Sequence, residues 1–194
     1  MSTINSKSID GVFPPDQKKE IAQEPSTSTA PVLSLGLGFL MACATGGALA
    51  GGKPLSVTEE VYLAAAPSKT WEKIKDFNRW QDWHPAFAST AITKGEGNTK
   101  GTVRVLTTKD GAKFTEELVS HSTASRSYQY RIIESPLPIT DYVSTLQIKQ
   151  NRAGSTVVWS SNFKVKDGVS EEEMKKTISG VYRAGLNNLV SVLK

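Results

Sequence analysis

Between Ala88 and Val165 six short segments alternate apolar with polar side chains, and one long helical pattern then closes the chain. Strict alternation puts successive side chains on opposite faces and reads as half-buried strand. The segments are Ala88–Lys94, Thr102–Thr108, Lys113–Ser122, Ser127–Ile133, Asp141–Gln150 and Thr156–Val165. Gly95-Glu96-Gly97-Asn98, Lys109-Asp110-Gly111 and Asn151-Arg152-Ala153-Gly154 are turn sequences, and a proline-rich loop precedes Asp141. A seventh strand, Thr58–Ala64, comes earlier. It is followed by a helix that Pro67 opens, carrying Trp71, Ile74 and Phe77 on one side. Asn78–Pro85 reads as a second short helical piece, stopped by Pro85.

The closing helix begins at Ser170, which forms a capping box with Glu173. Glu171, Glu172 and Glu173 suit the positive end of its dipole. Met174, Ile178, Tyr182, Leu186, Leu189 and Leu193 form one apolar stripe. Gly180 and Gly185 interrupt it, which implies either close packing or a gap on the core face that leaves room for a ligand. The order of strand, two short helices, six strands and long helix predicts an α+β domain over 53–194. A curved seven-stranded antiparallel sheet would wrap the C-terminal helix.

Composition excludes several classes of function. A single cysteine in 194 residues rules out a disulfide framework and a multi-thiolate zinc site. The only histidines, His84 and His121, stand 37 positions apart outside any metal-binding pattern, so no metal is expected. The net charge of +4 is scattered along the chain, without the clustered basic face that nucleic acids require. Nucleophile elbow, phosphate loop, dinucleotide fingerprint and thiol pair are all missing, and no cofactor is implied.

Residues 1–52 read as a separate N-terminal extension. Residues 1–31 are rich in Ser, Thr, Pro and Gln, a composition that does not build a core. The uncharged run from Val32 leads into Ala48-Leu49-Ala50, a small-x-small pattern that signal peptidases cleave. Export, to the periplasm, is the expectation. Two alternatives are an uncleaved membrane anchor over Val32–Ala50 and lipidation at Cys43 in a lipobox-like Leu40-Met41-Ala42-Cys43.

Several segments together resemble the SRPBCC superfamily of START-like, polyketide-cyclase-like helix-grip proteins. They are Ala66–Trp71, Trp80–Pro85, Gly101–Arg104, Thr115–Leu118, Ser135–Tyr142 and Tyr182–Leu189. Within it, Ser135-Pro136-Leu137-Pro138 and the export segment are similar to the exported MxaD-like branch. The resemblance implies a hydrophobic ligand between sheet and long helix, with loops as a lid. Lys109–Gly111 falls where plant members carry a gate loop and Ser135–Ile139 where they carry a latch. Glu116, Tyr130, Tyr142 and Ser144 fall on pocket-lining positions. The lysine that grips the hormone carboxylate has no counterpart near Ser89, and the latch histidine and arginine are replaced by Leu137 and Pro138. Hormone recognition of that kind is not implied.

Alternation selects the same face. Phe114, Glu116 and Leu118 share a side, as do Tyr128, Tyr130 and Ile132; Tyr142, Ser144, Leu146 and Ile148; and Val157, Trp159, Ser161 and Phe163. Ligand contacts are therefore expected from Trp83, Arg104, Glu116, Tyr128, Tyr130, Leu137, Tyr142, Ser144, Trp159, Phe163, Tyr182 and Leu186. Glu116 needs a partner if buried, and Arg104 on the neighbouring strand supplies one, as ligand anchor or as internal salt bridge. Trp80 and Trp83 read as core plugs or as ligand stackers, and His121 as a surface residue of the opposite face. The leading expectation is an exported carrier of a lipid-like or aromatic molecule. The alternatives are a cyclase-, dehydratase- or isomerase-type enzyme using Glu116 or His84 as acid or base, and an accessory protein of a periplasmic redox system.

Overall fold

The computed structural model describes residues 53–194. The extension expected over 1–52, with Cys43 and the cleavage pattern, lies outside the described residues. Seven strands run β1 Leu55–Leu63, β2 Phe87–Lys94, β3 Val103–Thr108, β4 Lys113–Ser122, β5 Ser127–Glu134, β6 Ile139–Asn151 and β7 Gly154–Val165. Helix α1, Pro67–Ile74, follows β1, and α2, Glu171–Val192, ends the fold. The second short helix is reduced to a 3₁₀ turn, Trp80–Asp82. Phe77 lies beyond α1 but is still fully buried.

The strands form one antiparallel sheet in the order β1-β7-β6-β5-β4-β3-β2. From β2 to β7 every strand therefore pairs with its neighbour in sequence, as the short turns dictate. The sheet curves around α2. Bulges break the register between Leu118 and Ser120 in β4 and between Thr140 and Val143 in β6. Each inserts a residue and re-aims the side chains beyond it.

Helix α2 starts as its sequence demands. The Ser170 hydroxyl accepts from the Glu173 amide at 3.3 Å, and Met174, Ile178, Tyr182, Leu186 and Leu189 are buried. Glu59 of β1 ties the helix to the sheet edge, accepting from Ser179 Oγ at 2.5 Å and Arg183 Nε at 2.8 Å. That donation from Arg183 holds the Glu59 carboxyl below its usual range.

The β4 bulge overturns one expectation. It carries His121 to the same side as Tyr128, with which it pairs in register. The imidazole stacks on Tyr128 at 6.0 Å, lies 5.1 Å from Trp71, and bonds the Lys75 carbonyl through Nε2 at 2.9 Å. Counting by twos from Glu117 placed it on the opposite face; the inserted residue reverses that parity.

Candidate functional site

The inner face of the sheet is the aromatic surface that alternation implied. Tyr128, Tyr130, Tyr142, Trp159 and Phe163 are buried there with Leu118, Leu146 and Val157. Helix α2 lays Tyr182 flat on Trp159, ring centroids 4.2 Å apart and planes 11° apart. Trp80 meets Tyr130 and Trp159 edge-on at 5.3 and 5.1 Å. These rings occupy most of the volume between sheet and helix. The inner cavity that remains measures about 40 Å³, far below the ~300–1,000 Å³ of ordinary small-molecule sites. Little of the space under the curved sheet is left open, because large planar side chains interlock there.

Six of the expected residues line this cavity: Glu116, Tyr130, Leu137, Tyr142, Trp159 and Tyr182. Six others expected there lie around it: Trp83, Arg104, Tyr128, Ser144, Phe163 and Leu186 are buried but form no part of its wall. Trp80, Phe87, Phe114, Ile132, Ile178 and Val181 complete the lining. Phe114, Ile132 and Ile178 were readable from the alternation and the helix stripe. Phe87 and Val181 carried no such signal, since they depend on where the 3₁₀ turn and α2 dock.

Polar groups at the inner end are tightly engaged. Arg104 Nε and Nη2 both donate to Glu116 Oε2, at 2.9 and 2.6 Å, and Nη1 donates to the Phe77 carbonyl. The guanidinium also packs on the Phe77 and Trp80 rings, 3.8 and 3.9 Å from their centroids. Burial pushes the Glu116 carboxyl above its ordinary range, and the Arg104 charge opposes that rise. Glu116 and Arg104 therefore form the internal salt bridge, and Glu116 also lines the cavity.

A chain of hydroxyls runs beside it. Ser144 Oγ donates to the Ser160 carbonyl at 2.9 Å and lies 3.1 Å from Tyr182 Oη, which meets Tyr142 Oη. Trp159 Nε1 donates to Tyr130 Oη at 3.1 Å and Ser144 Oγ at 3.0 Å. Burial raises the Tyr130, Tyr142 and Tyr182 phenols well above their usual range, so they stay protonated.

His84 is held as a structural group. Its Nδ1 accepts from the Ala86 amide at 3.2 Å, so Nε2 carries the proton and donates to the Val181 carbonyl at 3.0 Å. Burial drives its pKa down to about 3. The core-face gap expected at Gly185 is occupied by this ring and by Trp83, and leaves no room for a ligand.

A second, larger space opens at the proline corner. A cleft of about 420 Å³ is bounded by the end of β5, the β5–β6 loop, the start of β6 and Lys166 just after β7. Ile132, Leu137 and Tyr142 line both this cleft and the inner cavity. Among the described residues there is no cluster of side chains able to hold a metal, and no helix is long and apolar enough to cross a membrane.

Residues 54–194 match a family model described as polyketide cyclase / dehydrase and lipid transport. The chain belongs to that family. Its membership of the wider SRPBCC superfamily and the helix-grip fold agree with the sheet and helix described above. Among solved structures of the same fold, an uncharacterised protein from Bacillus thuringiensis is 31% identical with a TM-score of 0.64. It is matched over 98% of its chain and 73% of this one. The protein XoxI from Bacillus cereus is 30% identical with a TM-score of 0.61, over 94% of its chain and 72% of this one. A Thermobifida fusca protein is 26% identical with a TM-score of 0.65, over 92% of its chain and 71% of this one. No curated protein is significantly similar in sequence. Membership of the polyketide cyclase / dehydrase and lipid transport family makes this a hydrophobic-ligand-binding type of domain.

Proposed function

We propose that this protein is a carrier for a lipid-like or aromatic small molecule, taken up between sheet and helix by way of the proline corner. One observation carries the reading: the inner cavity, walled almost wholly by apolar side chains, abuts a cleft of ligand size across Ile132, Leu137 and Tyr142. Burial of apolar ligand surface would supply the affinity, at ~25 cal/mol per Å². Glu116, held by Arg104, is the one charged side chain among the described residues that line the inner cavity. Export to the periplasm, in the manner of the MxaD-like branch, belongs to the same reading. It rests on Val32–Ala50 and is tested by the mass of the mature N-terminus.

The small inner volume favours a second reading, an interaction module with no ligand. Calorimetric titration with decanol separates the two. Saturable one-to-one binding with a negative heat-capacity change supports the carrier. Absence of saturable heat up to the solubility limit of decanol supports the packed module.

A further inference from the structure

The start of β6 departs from regular strand at one residue. Asp141 has φ 54°, in the left-handed region that a non-glycine residue enters at a cost. It lies in the bulge between Thr140 and Val143, where the partner strand advances from Lys164 to Asn162. The consequence is geometric. Ile139 and Tyr142, three apart, both turn inward, although simple alternation would send them to opposite faces. Tyr142, in step with Ser144 and Leu146, borders both the cleft and the cavity, and its hydroxyl is held inside by Tyr182.

Size argues that neither space is a complete site. The inner cavity, about 40 Å³, takes a few water-sized groups at ~10–15 Å³ each and no complete ligand. The outer cleft reaches ligand size at about 420 Å³, with an apolar floor and a polar rim of Glu134, Thr140, Asp141 and Lys166. Asp141 is paired with Lys164 at 3.0 Å, so the charges around the rim are close to balanced.

We infer that the cleft is the outer half of a single ligand site, that Tyr142 is the gate ring dividing it from the inner half, and that the ligand is a single-chain amphiphile with an uncharged polar end. The inference rests on the carrier reading above. The apolar chain passes inward between Leu137 and the displaced Tyr142 ring, and the polar end stays at the rim. The bulge at Asp141 brings Ile139 to the same side as Tyr142, and the Tyr182 contact latches the Tyr142 ring.

Stopped-flow tryptophan fluorescence with decanol tests this, because Trp80 and Trp159 line the inner cavity. Tyr142→Phe keeps the ring and removes the latch; association is expected to be at least threefold faster. Thr140→Phe fills the cleft from an exposed position; affinity is expected to fall at least fivefold with an unchanged urea midpoint. Decanol binding to the wild type, with neither variant altering it, would overturn the gate and leave the carrier reading standing. Failure of decanol to bind the wild type would overturn both.

Discussion

The His84 imidazole fills the space that a side chain on Gly185 would need: His84 Cδ2 lies 2.4 Å from where a Cβ at that position would sit. The turn after α1 and the middle of α2 are thus locked by one ring meeting one missing methyl. Both ring nitrogens are bonded, and Trp83 stands 3.1 Å from the same point, so the ring has no free direction in which to yield. Overpacking of this kind costs about 1–3 kcal/mol, against at most about 1 kcal/mol returned by helix propensity. Gly185→Ala is expected to lower stability in urea by about 1–2 kcal/mol. Gly180→Ala meets nothing within 4 Å and is expected to raise it by about 0.5–1 kcal/mol. Equal effects at the two positions would contradict the His84 contact.

The same histidine makes stability depend on pH. Its pKa falls from an ordinary 6.5 to about 3 on folding, chiefly through burial. A group depressed on folding contributes fully above its unfolded pKa and progressively less as pH drops toward the folded value. Unfolding free energy is therefore expected to decline between pH 6.5 and 5 with a slope approaching about 1.4 kcal/mol per pH unit. In His84→Phe that slope should shrink. Urea titrations at pH 7.5, 6 and 5 on both proteins check it, and parallel pH profiles would refute the assignment.

Arg104 and Glu116 should behave as a unit. Removing one partner of a buried pair strands the other charge and typically costs about 3–5 kcal/mol. Arg104→Met also forfeits the contacts with Phe77 and Trp80. Both Arg104→Met and Glu116→Leu are expected to destabilise strongly, and the double variant Arg104→Met/Glu116→Leu less than the sum of the two. Strict additivity in the double-mutant cycle would show that the pair is not coupled.

Much of the architecture was legible because it follows from short-range rules. Pro67, Ser170 and the glycine-bearing turns punctuate the elements close to their observed ends, and each strand from β2 onward pairs with the next. The Arg104–Glu116 bridge was readable from two facing strands, and their register brings them directly opposite. The failures share a cause. A bulge changes parity by one, so His121 was assigned to the wrong face, while Tyr142, Ser144, Leu146 and Ile148 keep the alternation read for them and only Ile139, on the far side of the Asp141 bulge, departs from it. The filling of the interior was illegible for another reason. Whether Trp80, Trp159 and Tyr182 interlock or leave a hole depends on tilts and offsets of a few ångströms that no residue pattern encodes.

The most direct test is where a bound chain lies. Nuclear Overhauser contacts from decanol to protein methyl and indole protons read this at saturating ligand. A chain seated between sheet and helix gives contacts to Ile178, Val181 and the Trp159 ring, residues that wall the inner cavity. Contacts confined to the exposed side chains of Val190 and Val192, or no contacts at all, would mean that the interior takes up no chain and that this fold does not carry a ligand there.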